Sequence, residues 1–195
     1  MSRPPEPWHL VKQSPLHGTG VFARRDIPAG TRIIEYRGKR ITPEQADALH
    51  PVNPDDPFHT FFFSLSNGKV IDGGQNGNDA RWINHSCAPN CETQESPQGS
   101  RVFVFALRDI PAGDELFYDY GLVMDGRITK TLRKQYGCLC GSAACRGTML
   151  ALPKEKPGKN EDKKEKKEKK NKKDGKAKKK DEKEKQEGRR KKAKS

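Results

Sequence analysis

The stretch NHSCAPNC, residues 84–91, gathers amides, an imidazole, a hydroxyl and two thiols around one proline, directly after the apolar end of DARWI. Three chemistries use such a set: a metal site, a cysteine nucleophile with His85 as its base, or a polar turn with spare thiols. Near the end of the patterned part of the chain, YGCLCGSAACRG places Cys138, Cys140 and Cys145 within eight positions, beside Gly137 and Gly141. Three thiols so close can converge on one ion. Tetrahedral zinc takes four such ligands, and a structural site draws all four from protein. The fourth has to come from Cys87 or Cys91, and spacing alone leaves the two equal. Ordinary buried thiols are the bland alternative, and the clustering argues against it. A Cys–His nucleophile needs an oriented third group, and neighbours in sequence seldom reach that geometry.

The elements that must position these residues read as short strands with few helices. TFFFSLSNGKVID sets Asn67-Gly68 between two β-prone runs and predicts a two-residue hairpin loop. VFVFAL (Val102–Leu107) and TRIIEY (Thr31–Tyr36) predict two further strands. TPEQADALH predicts a helix, with Thr42 as N-cap, Pro43 at the first helical position and Gln45 completing a capping box. An internal echo pairs FARRDIPAGTRIIEY, from Phe22, with FALRDIPAGDELFYDY, from Phe105. Proline second and glycine fourth in Ile-Pro-Ala-Gly suit a type I turn. Two copies make an architectural echo, not a solenoid.

Charge divides the chain. Residues 154–195 carry 22 Lys and Arg against 10 Asp and Glu, a net of +12 out of the chain's +13, which leaves the body at +1. The tail has no aromatic residue and only alanine as an apolar one, too little apolar surface to offset its ordering entropy, so disorder is expected there. Its last basic run, GRRKKAK, suits phosphate backbones. MSRPPEPWHL lacks the apolar core of a secretory signal, and no apolar run is long enough to span a bilayer. Five cysteines, an odd number, without an export signal favour reduced thiols or a metal over a disulfide framework.

Four pieces then fall in one order: HGTGVF (His17–Phe22), RWINHSCAPNC (Arg81–Cys91), ELFYDYG (Glu115–Gly121) and CLCGSAAC (Cys138–Cys145). Together they resemble the SET-domain protein lysine methyltransferases with a post-SET zinc segment, over residues 8 to 150. The resemblance implies a mainly β fold of small sheets with a knot-like core, in which the NHSC chain threads beneath the DYG chain. It implies a SET domain over 8–122, a post-SET zinc segment over 123–152 and a Lys-rich tail over 153–195. The implied cofactor is S-adenosylmethionine, held by His17, Gly18, Thr19 and Gly20 with Asn84, His85 and Tyr120. The implied zinc ligands are Cys87, Cys138, Cys140 and Cys145, with Cys91 left over. Tyr120 takes the catalytic position, and Tyr118 the position where a hydroxyl goes with fewer added methyl groups. In a strand these two share one face. One departure is Phe61, where many relatives have tyrosine, so FFFS is expected to offer no hydroxyl at that wall. No cysteine-rich segment precedes the domain.

The activity implied is methyl transfer to a lysine ε-amine of a histone or other basic, nucleic-acid-associated protein. A second reading is a non-catalytic SET and zinc scaffold that binds nucleic acid or chromatin through the tail. A third is a histone-like binder in which the tail is the main function. Retention of the GxG turn, Asn84-His85 and Tyr120 together favours the enzyme. A monomer without membrane contact is expected, inside the cell and associated with nucleoid or chromatin. For an exported protein the corresponding site is a host nucleus.

Overall fold

The structure, a computed structural model, describes residues 6–49, 60–124 and 126–152. The Lys-rich tail and its expected disorder lie outside the described residues, as does His50 at the end of the expected helix. In chain order the first half gives β1 (His9–Gln13), β2 (Thr19–Ala23), β3 (Arg32–Tyr36), β4 (Lys39–Ile41), α1 (Pro43–Leu49), β5 (Phe62–Ser64) and β6 (Val70–Asp72). After a 3-10 turn at Asp79–Trp82 come β7 (Asn84–His85), β8 (Cys91–Glu95), β9 (Val102–Ala106), β10 (Phe117–Tyr118) and α2 (Lys130–Gln135). The fold is mainly β, as expected. No helix among the described residues is long and apolar enough to cross a membrane.

The strands form small sheets: β1-β2, β3-β9-β8 and β4-β6-β5, all antiparallel, and β7-β10, which is parallel. Strand alternation explains which faces meet. In β9, Val102, Val104 and Ala106 point into the core, while Phe103 and Phe105 lie half-buried on the other face. Val21, Ile71, Val102, Val104, Ile83 and Leu116 are at most 1% exposed and form the shared core onto which the sheets close. Burying each such aliphatic chain is worth about 2 kcal/mol.

Local signals are realised with two adjustments. The capping box forms as read: Thr42 N–H donates to Gln45 Oε1 at 2.9 Å, and Gln45 N–H to Thr42 Oγ1 at 3.3 Å. The β5–β6 hairpin forms too, but its loop has three residues rather than two, since Leu65 N–H bonds Lys69 O. Only Gly68, at φ +77°, takes the left-handed conformation there. Asn67 stays outside it and caps Lys69 N–H instead. A turn followed by a left-handed glycine matches strand twist as well as a two-residue loop does.

The second adjustment concerns the echo. Each copy turns one residue later than expected: Thr31 N–H donates to Pro28 O and Asp114 N–H to Pro111 O, both at 3.2 Å, with Gly30 at φ +76° and Gly113 at φ +91°. Glycine third with positive φ makes these type II turns, not type I. The copies also face one another. Ile27 and Ile110 exchange backbone hydrogen bonds at 2.8 and 2.9 Å, Asp109 caps Ala29 N–H, and Asp26 caps Ala112 N–H. The echo is thus a reciprocal, two-fold-like clasp.

The parallel β7–β10 pair is too short to stand alone. Asn90, 4% exposed, supplies the rest: its amide donates to Glu115 O and its carbonyl accepts from Phe117 N–H, both at 2.8 Å. Truncation would leave both backbone groups buried and unpaired. Asn90→Ala is therefore expected to lower unfolding free energy by about 3 kcal/mol, read as a drop in the urea midpoint with an unchanged slope.

Candidate active site and cysteine cluster

Glu115 enters β10, and its side chain turns back toward the first hairpin. Oε2 accepts from Ser14 Oγ at 2.9 Å, and Oε1 from Asn84 Nδ2 at 2.8 Å. The Asn84 amide also reaches Thr19 O at 3.1 Å and His17 O at 3.3 Å. Ser14 Oγ in turn accepts from the N–H groups of Leu16 and His17, which folds the loop into Gly18. Gly20 has no room for a side chain, because a Cβ there would run into the Glu115 carboxylate and Ser14. His17, Gly18, Thr19, Gly20 and Asn84 are thereby brought together. Glu115 and Ser14, which join them, were not singled out in the sequence, where neither sits in a spacing that points to the other.

His85 is buried beside this loop. Its Nδ1 accepts from Tyr120 N–H at 3.1 Å, and Nε2 lies 3.4 Å from Cys87 Sγ. Burial lowers its pKa, with the Asp119 carboxylate opposing. With Nδ1 as acceptor, a neutral ring carries its proton on Nε2, facing the Cys87 sulfur. That proton placement is the wrong one for a base that would activate Cys87.

An aromatic cluster stands on the other side of His85. Tyr120 Oη donates to Ile83 O at 2.8 Å, and its ring lies 5.0 Å from that of Tyr118 and 5.2 Å from His85. Tyr118 lies 6.4 Å from Phe63, which lies 5.4 Å from Tyr36. Tyr36 Oη donates to Phe61 O at 2.8 Å. A hydroxyl therefore stands beside Phe61 after all, supplied by β3 rather than by the FFFS run. Phe61 packs edge-on against Trp82 at 5.0 Å, and the Arg81 guanidinium lies over Trp82 at 4.6 Å. Burial pushes the phenols of Tyr118, Tyr120 and Tyr36 well above their ordinary value, with Glu115 adding to the effect at Tyr120. These hydroxyls are neutral donors, not bases.

Beyond His85 the thiols of Cys87, Cys138, Cys140 and Cys145 all lie within 4.8 Å of one another, with Cys87 and Cys138 3.7 Å apart. A regular tetrahedron of sulfurs with ~2.3 Å bonds to zinc has edges of ~3.8 Å, so the donor set fits. The N–H groups of Arg146, Cys140 and Gly147 point at the sulfurs of Cys87, Cys138 and Cys145, each at 3.4 Å. Such outer bonds orient thiolates toward a metal. Cys91 lies apart, fully buried on β8, where burial pushes its thiol to about 12.

One contact ties the cysteine segment to the aromatic cluster. The Arg146 guanidinium grips Asp119 with two hydrogen bonds of 2.7 Å. Asp119 also lies 3.5 Å from His85 Nδ1. Burial works against the Asp119 carboxylate, but Arg146 overrides it and its pKa falls. Sequence reading stopped at the thiols and passed over Arg146, although it directly follows Cys145.

The SET domain profile matches residues 18–121, spanning both the GxG turn and the DYG segment. The chain belongs to the SET-domain family. It is 38% identical over 152 residues to the human histone-lysine N-methyltransferase described as H3 lysine-36 specific, covering 76% of this chain and 5% of that protein. Against the mouse histone-lysine N-methyltransferase SETD2 it is 37% identical over 133 residues, 67% of this chain and 5% of that one. The chain thus spans only a small part of the relatives it matches. Among solved structures, a chain of "ctPRC2 in an autoinhibited conformation bound to S-adenosylmethionine" aligns with a TM-score of 0.53 and 32% identity, over 58% of this chain and 15% of that chain.

In this SET domain the purified protein is expected to carry one zinc per chain by elemental analysis. Cys87→Ser or Cys140→Ser should lose it, while Cys91→Ser should keep it. Zinc that survives Cys87→Ser and is lost with Cys91→Ser would reverse the ligand set.

Proposed function

We infer that the chain is an S-adenosylmethionine-dependent protein-lysine N-methyltransferase acting on a histone or another basic, nucleic-acid-associated protein. The observation that carries this reading is the hydrogen bond from Tyr120 to Ile83 O. It joins the tyrosine of DYG to the residue immediately before Asn84-His85, so the transfer tyrosine and the cofactor-binding segment form one rigid unit. The names of the relatives, histone-lysine N-methyltransferases, support the substrate class.

The donor set fits the cofactor. Around the GxG turn it consists of acceptors, the carbonyls of His17 and Thr19, beside the Asn84 amide and the Glu115 carboxylate. Acceptors suit a ligand with positive charge, and Gly18 leaves open space at its own position. When bound, S-adenosylmethionine supplies an electrophilic methyl group on a sulfonium. His17, Gly18, Thr19, Gly20, Asn84, His85 and Tyr120 would bind it. Tyr118, Tyr120, Tyr36 and Phe63 would line a narrow channel for the lysine.

A lysine amine with a pKa near ~10.4 arrives protonated and has no lone pair to offer. The apolar channel disfavours its charge, so the proton leaves to solvent before attack. The Tyr118 and Tyr120 hydroxyls, which stay neutral, orient the free amine in line with the methyl group. A zinc in the cysteine cluster would be structural, holding the segment over 123–152 against Asp119 through Arg146. The SET domain over 8–122 and the Lys-rich tail over 153–195 complete the proposed organisation. One chain contains the whole set, so a monomer suffices. The tail's net charge supports nucleic acid as a further partner and chromatin as the place of action. A tether of this kind raises the local concentration of a DNA-bound substrate.

Incubation with labelled S-adenosylmethionine and a panel of basic proteins should label lysines, detected by mass spectrometry; no transfer to any of them would overturn the reading. Tyr120→Phe should lower turnover about 100-fold with cofactor affinity nearly unchanged, and Tyr118→Phe should shift products toward higher methylation. Turnover should rise with pH above neutrality as more of the amine is deprotonated. A chain ending at Pro153 should methylate a free peptide normally and lose salt-sensitive DNA binding, measured by titration at low and high salt.

A further inference from the structure

Glu115 is 8% exposed, and its two carboxylate oxygens are taken by one neutral donor each, Ser14 Oγ and Asn84 Nδ2. Among the described residues no lysine or arginine forms an ion pair with it. Asp72, 5% exposed, is likewise held by neutral donors, Gly74 N–H and the Gln75 amide, but two other carboxylates of the body are paired with arginine. Glu35 is gripped by Arg101 and Arg37, which hold it at about 2, and Asp119 is gripped by Arg146. A carboxylate buried beside neutral donors keeps its field largely uncompensated, and burial of such a charge is unfavourable unless something answers it. Its neighbours say where that something would be. Asn84 binds the same GxG carbonyls that Glu115 closes on, and Gly20 is held to a hydrogen side chain by the Glu115 carboxylate itself. The field reaches the transfer site, since Glu115 is the charged group that adds to burial in raising the Tyr120 phenol.

We propose that Glu115 is the counter-charge of the cofactor site, whose buried carboxylate, held between Ser14 and Asn84, favours a cationic sulfonium cofactor over its neutral thioether product. The inference rests on the methyltransferase reading and adds to it a residue and a physical origin for discrimination. The methyl donor carries one positive charge more than the thioether left after transfer. Every hydrogen bond that Ser14 and Asn84 make acts on both ligands alike, because the two share all their other groups. The sulfonium charge distinguishes them, and a full carboxylate charge acts on it more strongly than the dipoles of the GxG carbonyls do. At an effective dielectric near ~20, unit charges up to ~10 Å apart change an equilibrium on the order of tenfold. Glu115 therefore acts as a positioning residue through Asn84 and Ser14, and as a selector through its charge. The same bias would help the product leave once the methyl group is gone.

Glu115→Gln separates these roles. A glutamine can keep Oε1 on Asn84, so size is preserved and the charge is removed, while the acceptor that Ser14 Oγ–H donates to is replaced by an amide donor. Binding of S-adenosylmethionine and of S-adenosylhomocysteine to the full chain would be measured by calorimetry, with thermal unfolding as the check on folding. Wild type should prefer the sulfonium. Glu115→Gln should weaken the sulfonium on the order of tenfold and leave the thioether within about two-fold, so that the preference disappears. Glu115→Asp keeps the charge and loses reach; it should weaken both ligands by similar factors and preserve the preference. The Asp variant also carries the test alone should the Gln variant fail to fold. Equal weakening of both ligands in Glu115→Gln, or loss of the preference in Glu115→Asp, would overturn the inference and leave the methyltransferase reading standing. Wild-type protein that binds neither ligand would overturn both.

Discussion

Two strands of two residues each, β7 and β10, run parallel at the centre of the body, and a buried polar network holds them there. So short a parallel pair has little cooperative stability, and parallel strands cannot be joined by a tight turn. Asn90 replaces the missing ladder by bonding Glu115 O and Phe117 N–H. The Glu115 side chain then reaches Asn84 and Ser14, and so extends the same network to β1 and the turn before β2. A buried network of this kind favours one arrangement, because a slip in register would leave several polar groups unpaired at once. The GxG turn, the Asn84-His85 pair and the DYG tyrosines each take their place from it.

Burial decides the chemistry of the groups placed there. Three phenols and an imidazole share an apolar interior, and burial is the main reason that each favours its neutral form. The carboxylates near the centre are handled in two ways. Asp119 is neutralised by a two-bonded Arg146, which also fastens the cysteine segment to the DYG strand. Glu115 is held by hydrogen bonds from two neutral donors, Ser14 and Asn84. A site arranged in this way has polar acceptors on its GxG side and an aromatic, uncharged wall on its Tyr118 side. That asymmetry would suit the proposed cationic cofactor on one side and the proposed lysine, losing its charge, on the other.

The Ile-Pro-Ala-Gly echo illustrates how local chemistry and tertiary context divide the work. Proline and glycine made a turn certain, but which four residues closed it depended on where the two copies met. Their reciprocal bonds at Ile27 and Ile110, with each aspartate capping the other copy's turn, select the later register. Similarly, Asn67-Gly68 marked the hairpin, while the Leu65–Lys69 pairing settled its loop length.

By itself the sequence determined what depends on neighbours along the chain. The capping box at Thr42 and Gln45, the alternation of β9, the clustering of Cys138, Cys140 and Cys145 and the concentration of charge beyond Pro153 are all written within a few residues of one another. The order of the four motifs carried the family. Spacing left Cys87 and Cys91 equal and only the family resemblance pointed to Cys87, which the tertiary structure brings into the cluster. Tertiary structure alone brought the Tyr36 hydroxyl to Phe61, Arg146 to Asp119 and Glu115 to Ser14. These partners lie 25, 27 and 101 positions apart. Contacts at such separations leave no periodicity or spacing in a single chain, since they are set by how sheets close on a shared core.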